Sequence, residues 1–334
     1  MSTHAASTLA TDAPPKETTV DLAAAFVVRQ LEKHRKGLKE GEKGRPLVVG
    51  VQGPQGSGKS YLASLLPSAL SSPSHGSLRT ATLSLDDLYL PHSGLASVAQ
   101  QYAGNALLKG RGQAGTHDLP LGLSVLRALK SGGSEAVEIP VFEKSLHGGE
   151  GDRLEKSKWV KVENPSAVDV VVLEGWMLGF RPVSAHSSSS LAELYSAAKA
   201  APDSEETKQK LGIDYAPPFL LEHKLEDLQQ VEELLKGYEE LWSEVDVAVQ
   251  IKPEKMGYVW EWRLEQEHNM KAKNGGIGMT DEQVKNFIAR YMPGYELWLP
   301  GLSAPASTSS SWTGGNGLRV VIGKKREVSR AEDL

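Results

Sequence analysis

The stretch GPQGSGKSYL, Gly53 to Leu62, constrains the fold more than any other part of the chain. Gly53, Gly58, Lys59 and Ser60 satisfy the pattern G-x-x-x-x-G-K-[ST], between the short apolar run PLVVGVQG and the helix-forming run KSYLASLLPSAL. A polyanion needs several backbone N–H groups pointed into one concavity. Gly53, Gly56 and Gly58 allow that, because glycine tolerates unusual φ and places no Cβ in the way. Lys59 puts a charge between the outer phosphates, Ser60 is a ligand for Mg²⁺, and the following helix adds its partial positive charge. The segment through Pro54, Gln55, Ser57 and on to Tyr61 is the expected nucleotide-triphosphate site, with ATP and Mg²⁺ as cofactors.

The rest of the chain alternates strand and helix. VDLAAAFVVRQLEKHRKG reads as a helix with Asp21 at its cap, and RTATLSLDDLYL as a second strand ending in two acids. AVEIPVFEKS is strand-like, GGEGDR is loop, and DVVVLEGW is a buried strand. LEDLQQVEELLKGYEELW places Leu228, Val231, Leu235, Tyr238 and Trp242 on one helical stripe before the strand DVAVQIKP. YVWEWRLEQEHNMKAK is a charged helix ending at NGGIG, MTDEQVKNFIARYM opens on a capping box of Thr280 with Gln283, and LRVVIGKKREV is a last strand. This alternation predicts an α/β fold, a P-loop NTPase with three α/β/α layers, a mainly parallel central sheet and a helical lid. Residues 1–19 are expected as a disordered tail and 20–334 as one domain. Within it, 184–218 reads as a Ser-rich surface insertion and 255–292 as the lid and the helix after it.

Composition narrows the function. A formal net charge of −5 argues against nucleic acid or an anionic membrane as the main partner, leaving small molecules. The chain has no cysteine, which excludes disulfides, thiolate metal sites and a cysteine nucleophile. DVVVLEGWMLGF is shorter than the ~20 residues that span a bilayer and carries Asp169 and Glu174. The N-terminus lacks an apolar centre and arginines, so a cytoplasmic protein is expected. The sequence assigns no oligomeric state.

The acids decide what is done with the phosphate. Neither the D-x-x-G nor the N-K-x-D element of a GTPase is present. Glu174 ends a central strand beside the loop, where it can hold Mg²⁺ directly or through water. Asp86 and Asp87 end the second strand, where a substrate hydroxyl meets the γ-phosphate, and one of them can accept the hydroxyl proton. GRGQAGTHDL offers Arg111, His117 and Asp118 for an acceptor, and FEKSLHGGEGDR adds Lys144, His147 and Arg153. Arg263, Lys271 and Lys273 lie on or near the lid, whose closure brings a cation to the transferring group. A small-molecule kinase is expected, with a nucleotide-dependent switch protein as the alternative from another class.

GPQGSGKS, LDDLYL, LLKGRGQAGTHDL, FEKSLHGGEGDR, LEGWMLGF and GGIGMTDEQVKNFIARYMPGYELWLP, in order from about Val48 to Leu302, resemble the plant and fungal D-glycerate 3-kinase family. The layout is more distantly similar to uridine kinase, phosphoribulokinase and bacterial pantothenate kinase. The resemblance implies phosphorylation of D-glycerate at its 3-hydroxyl, with other small acceptors (nucleoside, sugar or vitamin) as alternatives. It also implies Asp86 as base, Tyr89 in the substrate pocket, and Arg263 and Lys271 as lid cations. The chain departs from the family in DDLYL, where DDFYL is commoner, and in the lysines of NMKAKNGG, where relatives have arginine.

Overall fold

The computed structural model describes residues 17–36, 44–303 and 312–334, so most of the expected N-terminal tail lies outside the described residues. Ten strands form: β1 (Leu47–Gln52), β2 (Thr80–Ser84), β3 (Val137–Ile139), β4 (Phe142–Glu143), β5 (Asp152–Arg153), β6 (Val160–Val162), β7 (Val170–Gly175), β8 (Val247–Pro253), β9 (Gly317–Ile322) and β10 (Val328–Asp333). The central sheet runs β10-β9-β8-β1-β7-β2, parallel except for β10. All six residues of β1 and all six of β7 are buried. Because alternate strand residues point to opposite faces, both faces of the sheet are covered, as in a three-layer α/β/α arrangement. β7 and β8 flank β1, so the chain order switches beside the phosphate loop, where open α/β sheets place ligands.

Among the described residues the helices are α1 (Thr19–His34), α2 (Lys59–Leu70), α3 (His92–Gln101), α4 (Leu119–Ser131), α5 (Leu191–Ala200), α6 (Glu205–Leu211), α7 (Leu225–Leu235), α8 (Glu239–Ser243), α9 (Tyr258–Lys273), α10 (Asp281–Ala289) and α11 (Met292–Leu297). The cap of α1 is Thr18 rather than Asp21. Asp21 is the third helical residue and completes a capping box by accepting from Thr18 N–H at 2.9 Å. The expected Leu228 to Trp242 stripe is buried, but a 3₁₀ turn at Lys236–Tyr238 divides it between α7 and α8.

Three further differences bear on the site. AVEIPVFEKS and GGEGDR leave the main sheet and form two small antiparallel ribbons, β3 with β6 and β4 with β5. The 184–218 segment is not all surface: Leu191, Leu194, Leu211 and Ile213 are buried, and Tyr215 donates to the buried Glu296 at 2.7 Å. The single expected C-terminal strand is a hairpin, because the chain turns after Gly323 and returns as β10 along β9.

Candidate active site

The phosphate loop joins β1 to α2. Gly56 and Gly58 hold φ of 77° and 90°, a region costly for residues with a Cβ. A Cβ on Gly56 would lie 2.6 Å from Trp262 Cβ of α9. Gly58 caps α2 without any side-chain hydrogen bond, leaving the first-turn N–H groups for an anion.

Glu174 stands in register with Val51 on one side and Ser84 on the other. Ser84 Oγ donates to Glu174 Oε1 at 2.7 Å, and Ser60 Oγ faces Oε2 at 3.4 Å. Lys59 Nζ is 3.9 Å from the same Oε2. Few donors, all oxygen, fit Mg²⁺, which keeps much of its shell for water and phosphate.

Asp86 and Asp87 follow β2 on a 3₁₀ turn and diverge. Lys144 Nζ donates to Asp86 Oδ2 at 2.6 Å. Burial pushes the Asp86 carboxyl up, but Lys144, with Lys59, outweighs burial and holds it below the usual carboxylate range. Asp87 turns away from the cavity. Its Oδ1 accepts from Phe142 N–H at 3.0 Å, fixing β4, and burial pushes its carboxyl up.

A cavity of about 760 Å³ runs from the phosphate loop to Asp86. Of the residues expected at a site, Pro54, Gln55, Gly56, Gly58, Lys59, Ser60 and Tyr61 line it on the loop side. Asp86, Tyr89, Arg111, Lys144 and Arg263 line the remainder. Arg111 donates to the carbonyls of Gly149, at 2.6 Å, and Glu150, tying the β4–β5 hairpin over the opening. Arg263 donates to Glu267 at 2.8 Å and lies over the Phe287 ring.

The structure places other expected residues off the cavity wall. His117 stacks on the far side of Tyr89 with centroids 4.5 Å apart, and its Nδ1 meets the Tyr238 hydroxyl at 2.7 Å. Burial pushes its imidazole down to about 3, so it is neutral. Asp118 caps α4 and pairs with Arg153 at 2.9 Å, while Arg153 donates to Tyr89 C=O at 2.7 Å. His117, Asp118 and Arg153 thus back Tyr89 and do not line the cavity. Lys271 turns to Met279 C=O at 3.2 Å, and Gly53 and Ser57 sit beneath the loop surface.

No protein-family model matches the chain. An uncharacterized kinase of Schizosaccharomyces pombe is 34% identical over 285 residues, 85% of this chain and 91% of that protein. The chloroplastic D-glycerate 3-kinase of Arabidopsis thaliana is 34% identical over 284 residues, 84% of this chain; the match spans about half of the plant protein (54%). The solved structure of D-glycerate 3-kinase from Cryptococcus neoformans var. grubii is 44% identical with a TM-score of 0.81, covering 95% of this chain and all of that one.

The chain belongs to the D-glycerate 3-kinase family. Its P-loop kinase fold is that of the Cryptococcus enzyme. Within this family member, sequence reasoning missed several residues of the wall: Lys109, Trp176, Arg290, Tyr291 and Arg326. Lys109 directly precedes the predicted GRG segment and Trp176 closes LEGW, so proximity to a motif could have found them. Arg290 and Tyr291 sit in FIARYM, where helical periodicity hides which side chains face a cavity. Arg326 carries no sequence signal.

Proposed function

We propose that this chain transfers the γ-phosphoryl group of ATP to the 3-hydroxyl of D-glycerate, giving 3-phosphoglycerate and ADP. The observation that carries it is the meeting of the phosphate loop, Asp86 and a cationic wall in one cavity. Asp86, held ionised by Lys144, accepts the hydroxyl proton as the substrate oxygen attacks the γ-phosphorus and the bond to the β–γ bridging oxygen breaks. Lys59 and the loop N–H groups hold the phosphates. Ser60 and Glu174 would hold Mg²⁺, which supplies charge neutralisation at the phosphates.

For the acceptor carboxylate, Arg111, Lys109 and Arg290 are the cations on the wall, and Tyr89 shapes the pocket. His117, Asp118 and Arg153 support Tyr89 from behind, Asp87 fixes the ribbon that presents Lys144, and Arg263 reaches the donor side. Residues 20–334 act as one kinase domain. We place the reaction in the cytoplasm, to which the lack of cysteine is suited; among the described residues no helix is long and apolar enough to cross a membrane.

The test is ADP formation with D-glycerate, L-glycerate, sugars, nucleosides and pantothenate, with the product identified by NMR. D-glycerate alone is expected to raise turnover. Turnover raised only by a different acceptor moves the substrate assignment, and no rise above basal hydrolysis with any of them removes the kinase assignment.

A further inference from the structure

We infer that Arg326 is a positioning residue of the donor site, fixing the phosphate loop against the base of α9. It lies in the β9–β10 turn, 270 residues beyond the loop it touches. Its Nε donates to Gly56 C=O at 2.8 Å, and its Nη1 pairs with Glu265 of α9 at 3.0 Å. The guanidinium stands 5.3 Å from the Trp262 ring centroid, and Trp262 Nε1 donates to Lys324 C=O at 2.7 Å. Trp262 is the buried side chain that leaves no room for a Cβ on Gly56. Turn, helix and loop therefore meet on two side chains.

The peptide between Gly56 and Ser57 is a rigid plane. Arg326 holds its carbonyl, and its N–H closes onto Pro54 C=O at 3.2 Å. With both ends held, the freedom that glycine gives the loop is removed before the phosphates arrive, which lowers the entropic cost of binding them. The backbone of Arg326 supports this role: its φ is 66°, a conformation that favours glycine and costs an arginine about 1 kcal/mol or more. A side chain kept where the backbone prefers none is offset by the contacts it makes.

This inference rests on the cavity being a nucleotide site, so ATP binding is measured directly, by calorimetry, beside the kinetics of both substrates. Arg326→Gly retains the left-handed backbone, and its melting temperature checks folding. It is expected to weaken ATP binding and raise KM for ATP by about tenfold or more, the loss of a charged hydrogen bond, with KM for D-glycerate unchanged. Arg326→Lys, which keeps the charge and one donor, is expected to recover part of the ATP affinity. Wild-type ATP affinity in Arg326→Gly, or parallel weakening of both substrates, overturns the role. Failure of the wild-type chain to bind ATP overturns the nucleotide reading and this inference with it.

Discussion

Lys144 Nζ donates to Asp86 Oδ2 over 2.6 Å, although the two residues are 58 positions apart. Lys144 directly follows β4, the strand Asp87 holds through Phe142 N–H, so two adjacent acids make separate contacts. In the proposed reaction one carries the charge that accepts a proton, and the other places the lysine that keeps it charged.

That division predicts unequal mutants. Asp86→Asn is expected to lower kcat by about 10²- to 10⁴-fold, the contribution of a positioned base, while leaving ATP affinity close to wild type. Asp87→Ala frees β4, and its main effect is expected on KM for the acceptor. Steady-state kinetics with a nucleotide-binding assay check both. Equal kcat loss in the two variants would show that the acids do not divide in this way.

The pH profile follows from the same pair. A base must be ionised, and Asp86 is held below the usual carboxylate range, so its activity is present above that point and lost only as pH falls through it. No acid limb is expected in kcat/KM between about pH 5 and 8. His117 adds none, because its imidazole titrates at about 3. In Lys144→Met the largest opposing influence on burial is gone, so the acid limb should move to higher pH. A profile measured from acid to neutral pH for both proteins decides it.

Metal dependence tests the Ser60–Glu174 pair, 3.4 Å apart. Ser60→Ala and Glu174→Gln should each raise the Mg²⁺ concentration for half-maximal turnover by about tenfold or more, as loss of a ligand or its orienting partner does. Titration of activity against Mg²⁺ at fixed ATP checks this. An unchanged midpoint in both would place the metal elsewhere.

Glu296 predicts a pH-dependent stability. It is fully buried and accepts from the Tyr215 hydroxyl and from the N–H groups of Phe219 and Leu220, yet burial pushes its carboxyl up from 4.5 to about 7. Between those values the unfolded chain releases its proton first, so stability present below about pH 4.5 is progressively lost as pH rises to about 7. The full effect is about 3 kcal/mol at about 1.4 kcal/mol per pH unit. Denaturant unfolding across this window in wild type and Glu296→Gln should show the contribution vanish in the variant.

Much of the donor half was legible in the chain because it is local. Gly53 to Ser60 form one contiguous loop between a strand and a helix, and Glu174 ends an unbroken apolar run, so periodicity and motif spacing suffice to place them. The acids after β2 were visible for the same reason, but not which one faces the cavity. That depends on a 3₁₀ turn and on β4, a strand in a ribbon that propensity cannot assign to a partner.

The wall opposite the phosphate loop was decided by the tertiary structure. GTHD looked like an acceptor loop from its glycine and polar residues, yet the pairing of Tyr89 with His117 turns it behind the wall, where burial leaves the imidazole neutral. Lys109, Arg290 and Arg326 reach the cavity from separate segments, and Arg326 does so across 270 residues. Sequence alone located the proposed phosphate cradle, because consecutive backbone N–H groups make it. Only the folded chain decided what faces it, because side-chain direction there is set by contacts between segments distant in sequence.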